Sequence, residues 1–298
     1  MKVGRHKAVG FEKRGEPIDV RERYKVYYRD LYSVYEGDLS EKTFYQGDML
    51  RFTEMAESIL PEYFSALSKP DISLLIICYW TPEFDPDYSA PGPYFVYKYG
   101  LSCNSFDVTD CGSLASSTAL WLGSSMASSN PDKNIVVLGL EQTTIPRDTS
   151  VKQSIPDSSR VAAITLGPQQ YNSYIKYIQG GYYSEVDLRE AERTDLLSEI
   201  IKKAKLQPRD IKHKDLAIDF IVTRGKTKIN SRLICQDLQF LYLDPVVTGL
   251  TAFDAIEYVN IHSREGSGPR FYLVIDEMVD GSSVNWFILK AGECDGDR

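Results

Sequence analysis

The sequence predicts an α/β protein made of two similar halves, and two observations carry that expectation. Phe52 to Leu67 sets Met55, Ile59, Leu60, Phe64 and Leu67 at helical spacing and is followed by Asp71 to Cys78, a nearly continuous apolar run. Leu196 to Leu206, with Leu197, Ile200, Ile201 and Ala204 on one face, is followed in the same way by Leu216 to Val222. Amphipathic helices alternating with short apolar runs indicate strands buried on both faces of a sheet. The boundary between the halves is placed near Gly167 to Gln170, giving residues 1–168 and 169–298.

The elements follow in chain order. Ser68-Lys69-Pro70 stops the first helix, because a proline disfavours helical backbone in the residue before it. After the first strand come a proline-rich loop from Thr81 to Pro93, a short aromatic helix from Tyr94 to Tyr99 and a strand from Phe106 to Val108. The small residues from Ser113 to Ser129 predict a helix packed close to its neighbours, and Ile135 to Leu140 and Val161 to Leu166 predict buried strands. Glu141 to Arg160 and Tyr171 to Thr194 are expected to be pocket-lining loops or insertions. In the second half, helices are expected at Asn230 to Leu241 and Thr251 to His262, with a loop at Asp244 to Gly249 between them. Strands from Phe271 to Asp276 and Val284 to Leu289 follow. Glu185, Asp187, Arg189, Glu190, Glu192 and Arg193 suggest a solvent-facing helix with ion pairs at helical spacing.

Composition excludes several function classes. Hydrophobic residues are 43% and charged residues 26% of 298, ordinary values for a globular chain. No apolar run approaches the roughly 18 residues that span a bilayer, so no membrane partner is expected. A net charge of -8 argues against a nucleic-acid partner, which needs a clustered basic surface. Met1 to Lys13 is basic but has no apolar stretch after it, so no secretory signal is read and a cytoplasmic location is expected. The five cysteines are irregularly spaced, fitting neither a disulfide framework nor a metal site, and reduced thiols are expected. Three histidines leave the general-base repertoire thin. His213 lies in a Lys-His-Lys charge run and His262 at a helix end, so neither is expected to act as a base. No metal and no cofactor are expected.

The segment Asn104 to Ala115 has the pattern of a nucleophile turn. Cys111 stands between an extended segment and a small-residue helix, where a helix N-terminus would lower a thiol pKa and present a thiolate. Ser113 shares the position.

The order of these patterns resembles the thiolase-like superfamily, specifically the β-ketoacyl synthase III type, over about Phe52 to Lys290. The residues that carry the resemblance are Leu74 to Cys78 with its proline-rich loop, Tyr99-Gly100-Leu101, Phe106-Asp107-Val108, Ala119-Leu120, Ile135 to Gly139, Val161 to Leu166 and Asp280 to Trp286. The resemblance implies a duplicated αβαβα sandwich. It also implies a Cys that takes the acyl group, and a His and an Asn that stabilise an enolate.

This chain departs from that triad. An ungapped count puts the cysteine slot on Gly112; a one-residue deletion puts it on Cys111. The histidine slot is Thr223, followed by Arg224, and the asparagine slot is Gly249-Leu250, with Leu250 at the side-chain position. The glycine-rich entry to one strand has become Pro156 to Arg160, and the Trp and Arg that grip coenzyme A have no match. Within the family, Phe106 to Asp110 is similar to the degenerate partner subunits of heterodimeric condensing enzymes of the alkylquinolone-synthase kind.

That likeness implies a non-catalytic ketosynthase III-like subunit in a polyketide or fatty-acid-derived pathway. Its partner would be a catalytic paralogue, in a heterodimer or heterotetramer, or a second copy of itself, with an acyl carrier protein as a further partner. It places Gly100 to Asp110 near the dimer interface and Tyr88 facing the partner's acyl pocket. The alternative is an acyltransferase or thioester hydrolase that uses Cys111 as the acyl acceptor.

Overall fold

Ten strands hydrogen-bond into one sheet in the computed structural model, which describes residues 1–11, 22–34, 44–46, 49–67, 71–147, 156–167, 175–185, 187–188, 199–200, 218–224, 239–246, 248–263 and 269–292. The first five are β1 (Lys2–Phe11), β3 (Ile72–Tyr79), β4 (Asn104–Val108), β5 (Asn134–Glu141) and β7 (Ser159–Gly167). The other five are β8 (Ile175–Tyr183), β9 (Phe220–Arg224), β10 (Gln239–Leu243), β11 (Arg270–Glu277) and β12 (Val284–Ala291). Two short strands, β2 (Phe44–Gln46) and β6 (Ile145–Arg147), pair separately.

The strand order is β10-β9-β11-β12-β8-β1-β7-β5-β3-β4. Numbered by chain order within each half, both halves read 3-2-4-5-1, and the fifth strand runs antiparallel to both neighbours in each. The remaining pairings, β3 with β4 and β5, and β9 with β10 and β11, are parallel in both halves. The halves join where Lys2 and Val3 pair with Lys176 and Ile175.

Six helices complete the described layers: α1 (Glu22–Val34), α2 (Phe52–Glu57), α3 (Leu60–Ser65), α4 (Pro91–Tyr99), α5 (Ala115–Ser129) and α6 (Thr251–His262). α5 links β4 to β5 and α6 links β10 to β11, so the two helices are counterparts. They pack between the two halves of the sheet. On β3, Leu74, Ile76 and Cys78 face that central layer, whereas Leu75 and Ile77 face α2, α3 and α4 on the outside. β5 alternates in the same way, with Ile135 and Val137 inward and Val136, Leu138 and Leu140 outward. Two buried faces explain why these strands read as uninterrupted apolar runs. On the outer face of the second half, Ile221, Leu273, Ile275 and Trp286 pack with Leu188, Ile200 and Ile218. The fold is the duplicated αβαβα sandwich.

Three sequence expectations are corrected here, and one strand was missed. The helix expected over Phe52 to Leu67 is two helices, because Pro61 in the first turn of α3 cannot continue a ladder from α2. Residues 239–241, expected to end a helix, belong to β10, where Gln239-Phe240-Leu241-Tyr242-Leu243 pairs in parallel with β9. The aromatic residues there favour a pleated surface. The expected loop Tyr171 to Thr194 contains the nine-residue β8, whose Gly180 and Gly181 hide the strand pattern. Those two glycines lie where a side chain would meet Tyr177 and Trp286. β1 was not expected at all; its residues are mostly half-buried and carry Arg5, His6 and Lys7 between apolar neighbours. Most of the expected helix 196–206, the start of strand 216–222, His213, residues 230–238 and most of the 185–193 charge run lie outside the described residues.

Candidate functional site

The C-terminal ends of β3, β4, β5, β9 and β10 point to the same region, and the N-termini of α5 and α6 meet there. Ser116, in the first turn of α5, joins them: its backbone N–H donates to the Gly249 carbonyl at 3.1 Å, and its hydroxyl accepts from the Ala252 N–H at 3.2 Å. Two helix N-termini brought together favour negative charge between them.

A buried carboxylate of the protein lies at the turn before α6. Glu141, at the end of β5 and fully buried, accepts from the Thr248 hydroxyl at 2.6 Å and from the Gly249 backbone N–H. Burial pushes its carboxyl up to about 7, against the opposing pull of those two hydrogen bonds. Asp276, on β11, is also buried and pushed up to about 7 by burial, with the Ser117 and Thr251 hydroxyls acting against the shift. Asn285, on β12 opposite Asp276, donates to Ser117 Oγ at 2.8 Å and Thr118 Oγ1 at 2.9 Å.

Gly112 follows Cys111 in a one-turn 3₁₀ helix, Gly112–Leu114, that precedes α5. Its φ of 53° is in the left-handed region, and a β-carbon there would lie 2.9 Å from Met278 Sδ and 3.8 Å from Trp80 Nε1. The Gly112 carbonyl oxygen lies 3.7 Å from the β-carbon position of Gly249, whose own side-chain space is bounded by Trp80 and Glu141. The turn that carries Cys111 and Gly112 and the turn that carries Gly249 and Leu250 are therefore neighbours in space.

At Cys111 burial works against the lowering expected from a helix end. The thiol is half-buried beside Thr118 and ahead of α5, and burial pushes its pKa up, with Asp110 adding to the rise and the Thr118 hydroxyl opposing it. Ser113 is buried, and its hydroxyl accepts from the Val279 N–H at 3.2 Å.

Leu250 points into the sheet, not into the site. It is 1% exposed, and its side chain covers Gly139 so closely that a β-carbon there would lie 2.5 Å from Leu250 Cδ2. Thr223 is 1% exposed on β9, and its hydroxyl has no hydrogen-bond partner among the described residues. Tyr88 lies apart from these residues, in the loop after β3, with the Arg51 guanidinium 4.3 Å from its ring centre. His262 ends α6, stacked on Tyr258 with ring centres 3.8 Å apart.

Sequence reasoning did not single out the ion cluster that ties the halves together. Asp254, in the first turn of α6, takes both terminal nitrogens of Arg160, at 3.0 and 2.5 Å, and Arg224 Nη2 at 2.6 Å. Burial alone would raise its pKa, but the two guanidiniums outweigh burial and hold the carboxyl below its usual range. The signal available was an acid within the apolar face of Thr251 to His262. Arg160 and Asp254, with Tyr242, Glu257, Tyr258 and Ile261, line a cleft of about 380 Å³ that Cys111, Gly112, Thr223 and Leu250 do not border.

The strand order, its repeat and the meeting of two central helices define the thiolase-like fold. No family model matches the chain, and no curated protein matches it in sequence. Solved structures do match over nearly the full length. Similar structures include the 3-oxoacyl-[acyl-carrier-protein] synthase III of Aquifex aeolicus VF5, at 12% identity and a TM-score of 0.54 over 97% of this chain and 99% of that one. Another is the C-terminal type III polyketide synthase domain of Steely1, a type I/III hybrid from Dictyostelium, at 14% and 0.55 over 98% and 99%. A third is a cysteine-to-serine variant of Xanthomonas campestris OleA with bound lauric acid and lauroyl-CoA, at 12% and 0.59 over 98% and 99%. These are thiolase-like condensing enzymes, and the chain shares their fold. No helix among the described residues is long and apolar enough to cross a membrane.

Proposed function

We propose that this chain is a non-catalytic, ketosynthase III-like subunit that pairs with a catalytic paralogue and shapes its acyl pocket in a polyketide or fatty-acid-derived pathway. One observation carries the reading: in the two touching turns where the resemblance puts a nucleophile and an oxyanion donor, Gly112 carries no side chain, Leu250 is buried against Gly139, and Glu141 takes the Gly249 N–H. Condensation requires a thiolate and donors for an enolate. Here Glu141 takes the Gly249 N–H, Thr223 offers no imidazole, and burial pushes the pKa of the Cys111 thiol up.

The pairing surface in this reading is the outer edge of β4, the last strand of the sheet. The two helices that touch β4 each carry exposed large side chains, Tyr94 and Tyr97 on α4 and Trp121 and Met126 on α5. An edge strand flanked by apolar surface is a template for another sheet. Tyr88, 39% exposed and held by Arg51, is the side chain this reading offers to the partner's pocket. An acyl carrier protein is a further partner.

The test is intact-protein mass after incubation with a panel of acyl thioesters, with and without a co-expressed catalytic ketosynthase. The expected adduct is on the ketosynthase alone. A mass increase on this chain that disappears in Cys111→Ala would overturn the reading and favour an acyltransferase or hydrolase.

A further inference from the structure

The cleft of about 380 Å³ beside α6 belongs neither to the two touching turns nor to the β4 edge, and its size is within the range of small-molecule sites. It stands in the second half where the Cys111 turn stands in the first, at the end of the outermost strand and before the counterpart helix. Tyr242, Val246 and Ile261 on its walls are exposed, and Tyr258 joins them from α6. Both rings are held in place, Tyr258 by stacking on His262 and Tyr242 by stacking on Phe240 with ring centres 6.2 Å apart. The wall at residues 244–246 is fixed from behind, because Arg224 Nη1 donates to the Asp244 carbonyl at 2.9 Å and to the Val246 carbonyl at 3.2 Å. A preformed recess with apolar walls takes a ligand at little ordering cost.

The charges of the cleft decide which ligand. Its lining acids, Asp244, Asp254 and Glu257, face one lining base, Arg160. Asp254 takes both terminal nitrogens of Arg160 and Nη2 of Arg224. Asp244 and Glu257 have no ion-pair partner among the described residues, and Glu257 acts on Arg160 and His6 only at longer range. Burial pushes the His6 pKa down, against the pull of Glu257 and Asp254, so its imidazole adds no charge at neutral pH. An anion entering the cleft would compete with Asp254 for guanidiniums that are already bound. A cation meets two carboxylates without ion pairs and the rings of two tyrosines.

We propose that this cleft binds a small primary amine with an apolar or aromatic body, its ammonium toward Glu257 and Asp244 and its body against Tyr242, Tyr258 and Ile261. The site is separate from the ketosynthase pairing and needs no partner chain.

Isothermal titration calorimetry of the whole chain, in low salt at neutral pH, tests it with phenethylamine, phenethyl alcohol and phenylpropanoate. The amine is expected to bind about tenfold more tightly than the alcohol, and the carboxylate more weakly than either. Glu257→Gln, at an exposed position, is expected to remove most of the amine's advantage and to leave the alcohol unchanged. Tyr242→Ala is expected to weaken both. Thermal melts compare the fold of each variant with that of the native chain.

Tighter binding of the carboxylate than of the amine would overturn the proposal, since the guanidiniums and not the acids would then face the ligand. Amine binding that neither substitution weakens would put the amine elsewhere on the chain. No binding of any probe at millimolar concentration would remove the cleft as an amine site, and each of these outcomes leaves the pairing reading as it stands.

Discussion

The carbonyl oxygen of Gly112 lies 3.7 Å from the point where a β-carbon on Gly249 would stand, so the turn before α5 and the turn before α6 touch backbone to backbone. Putting a cysteine at 112 alone does not restore a nucleophile. A side chain there must adopt a left-handed backbone and displace the end of Met278. Gly112→Cys is therefore expected to cost about 1–2 kcal/mol of stability and to gain no acylation. Urea denaturation and intact mass after acyl-thioester treatment would check both parts.

Cys111 is expected to be a slow thiol. With its pKa raised by burial, the thiolate fraction at pH 7.5 falls below that of a free cysteine, and alkylation by iodoacetamide slows accordingly. Peptide mass mapping of partially alkylated native protein should show Cys111 labelled more slowly than a model thiol. Faster labelling would mean that the helix end, and not burial, governs the site.

Restoring the family residue at 250 should damage the fold. Leu250→Asn puts an amide into the apolar core beside Gly139 and Phe253. A loss of about 2–4 kcal/mol is expected, from lost packing and a buried polar group. A variant as stable as the native chain would show that the α6 turn can rotate Leu250 out.

Glu141 gives the protein a falling stability with rising pH. Its folded carboxyl titrates near 7 and the unfolded one near the usual 4.3, so between these values the native state binds more protons. Its contribution is complete below about pH 4 and is lost as pH rises through 7, about 4 kcal/mol in all. Glu83 and Asp276, also pushed up to about 7 by burial, act in the same direction, whereas Asp254, held below its usual range, acts in the opposite one at lower pH. Glu141→Gln should flatten the profile between pH 5 and 8 in urea melts. An unchanged slope would mean that Glu141 ionises as an ordinary surface acid does.

The layers of the fold were legible because β3, β5 and β7 are buried on both faces and hydrophobic at nearly every position. Thr251 to His262 was readable to the residue because its apolar face and its end signals agree. β1 and β8 were not, since they mix charged or glycine positions with apolar ones; their place in the middle of the sheet is set by partners far along the chain. The slots at Thr223 and Leu250 are expectations from the order of motifs. Their surroundings were not legible, because the bond from the Gly249 N–H to Glu141 and the direction of Leu250 toward Gly139 are properties of packing.

Asp254 binds one guanidinium from β7 of the first half and one from β9 of the second. Together with the strand pairing at Lys2 and Val3, this leaves neither repeat a free inner surface on which to persist alone. A chain that repeats one strand order twice should therefore unfold as one unit: calorimetry should record one transition, with its van't Hoff enthalpy equal to the calorimetric one, and neither repeat expressed by itself should melt cooperatively.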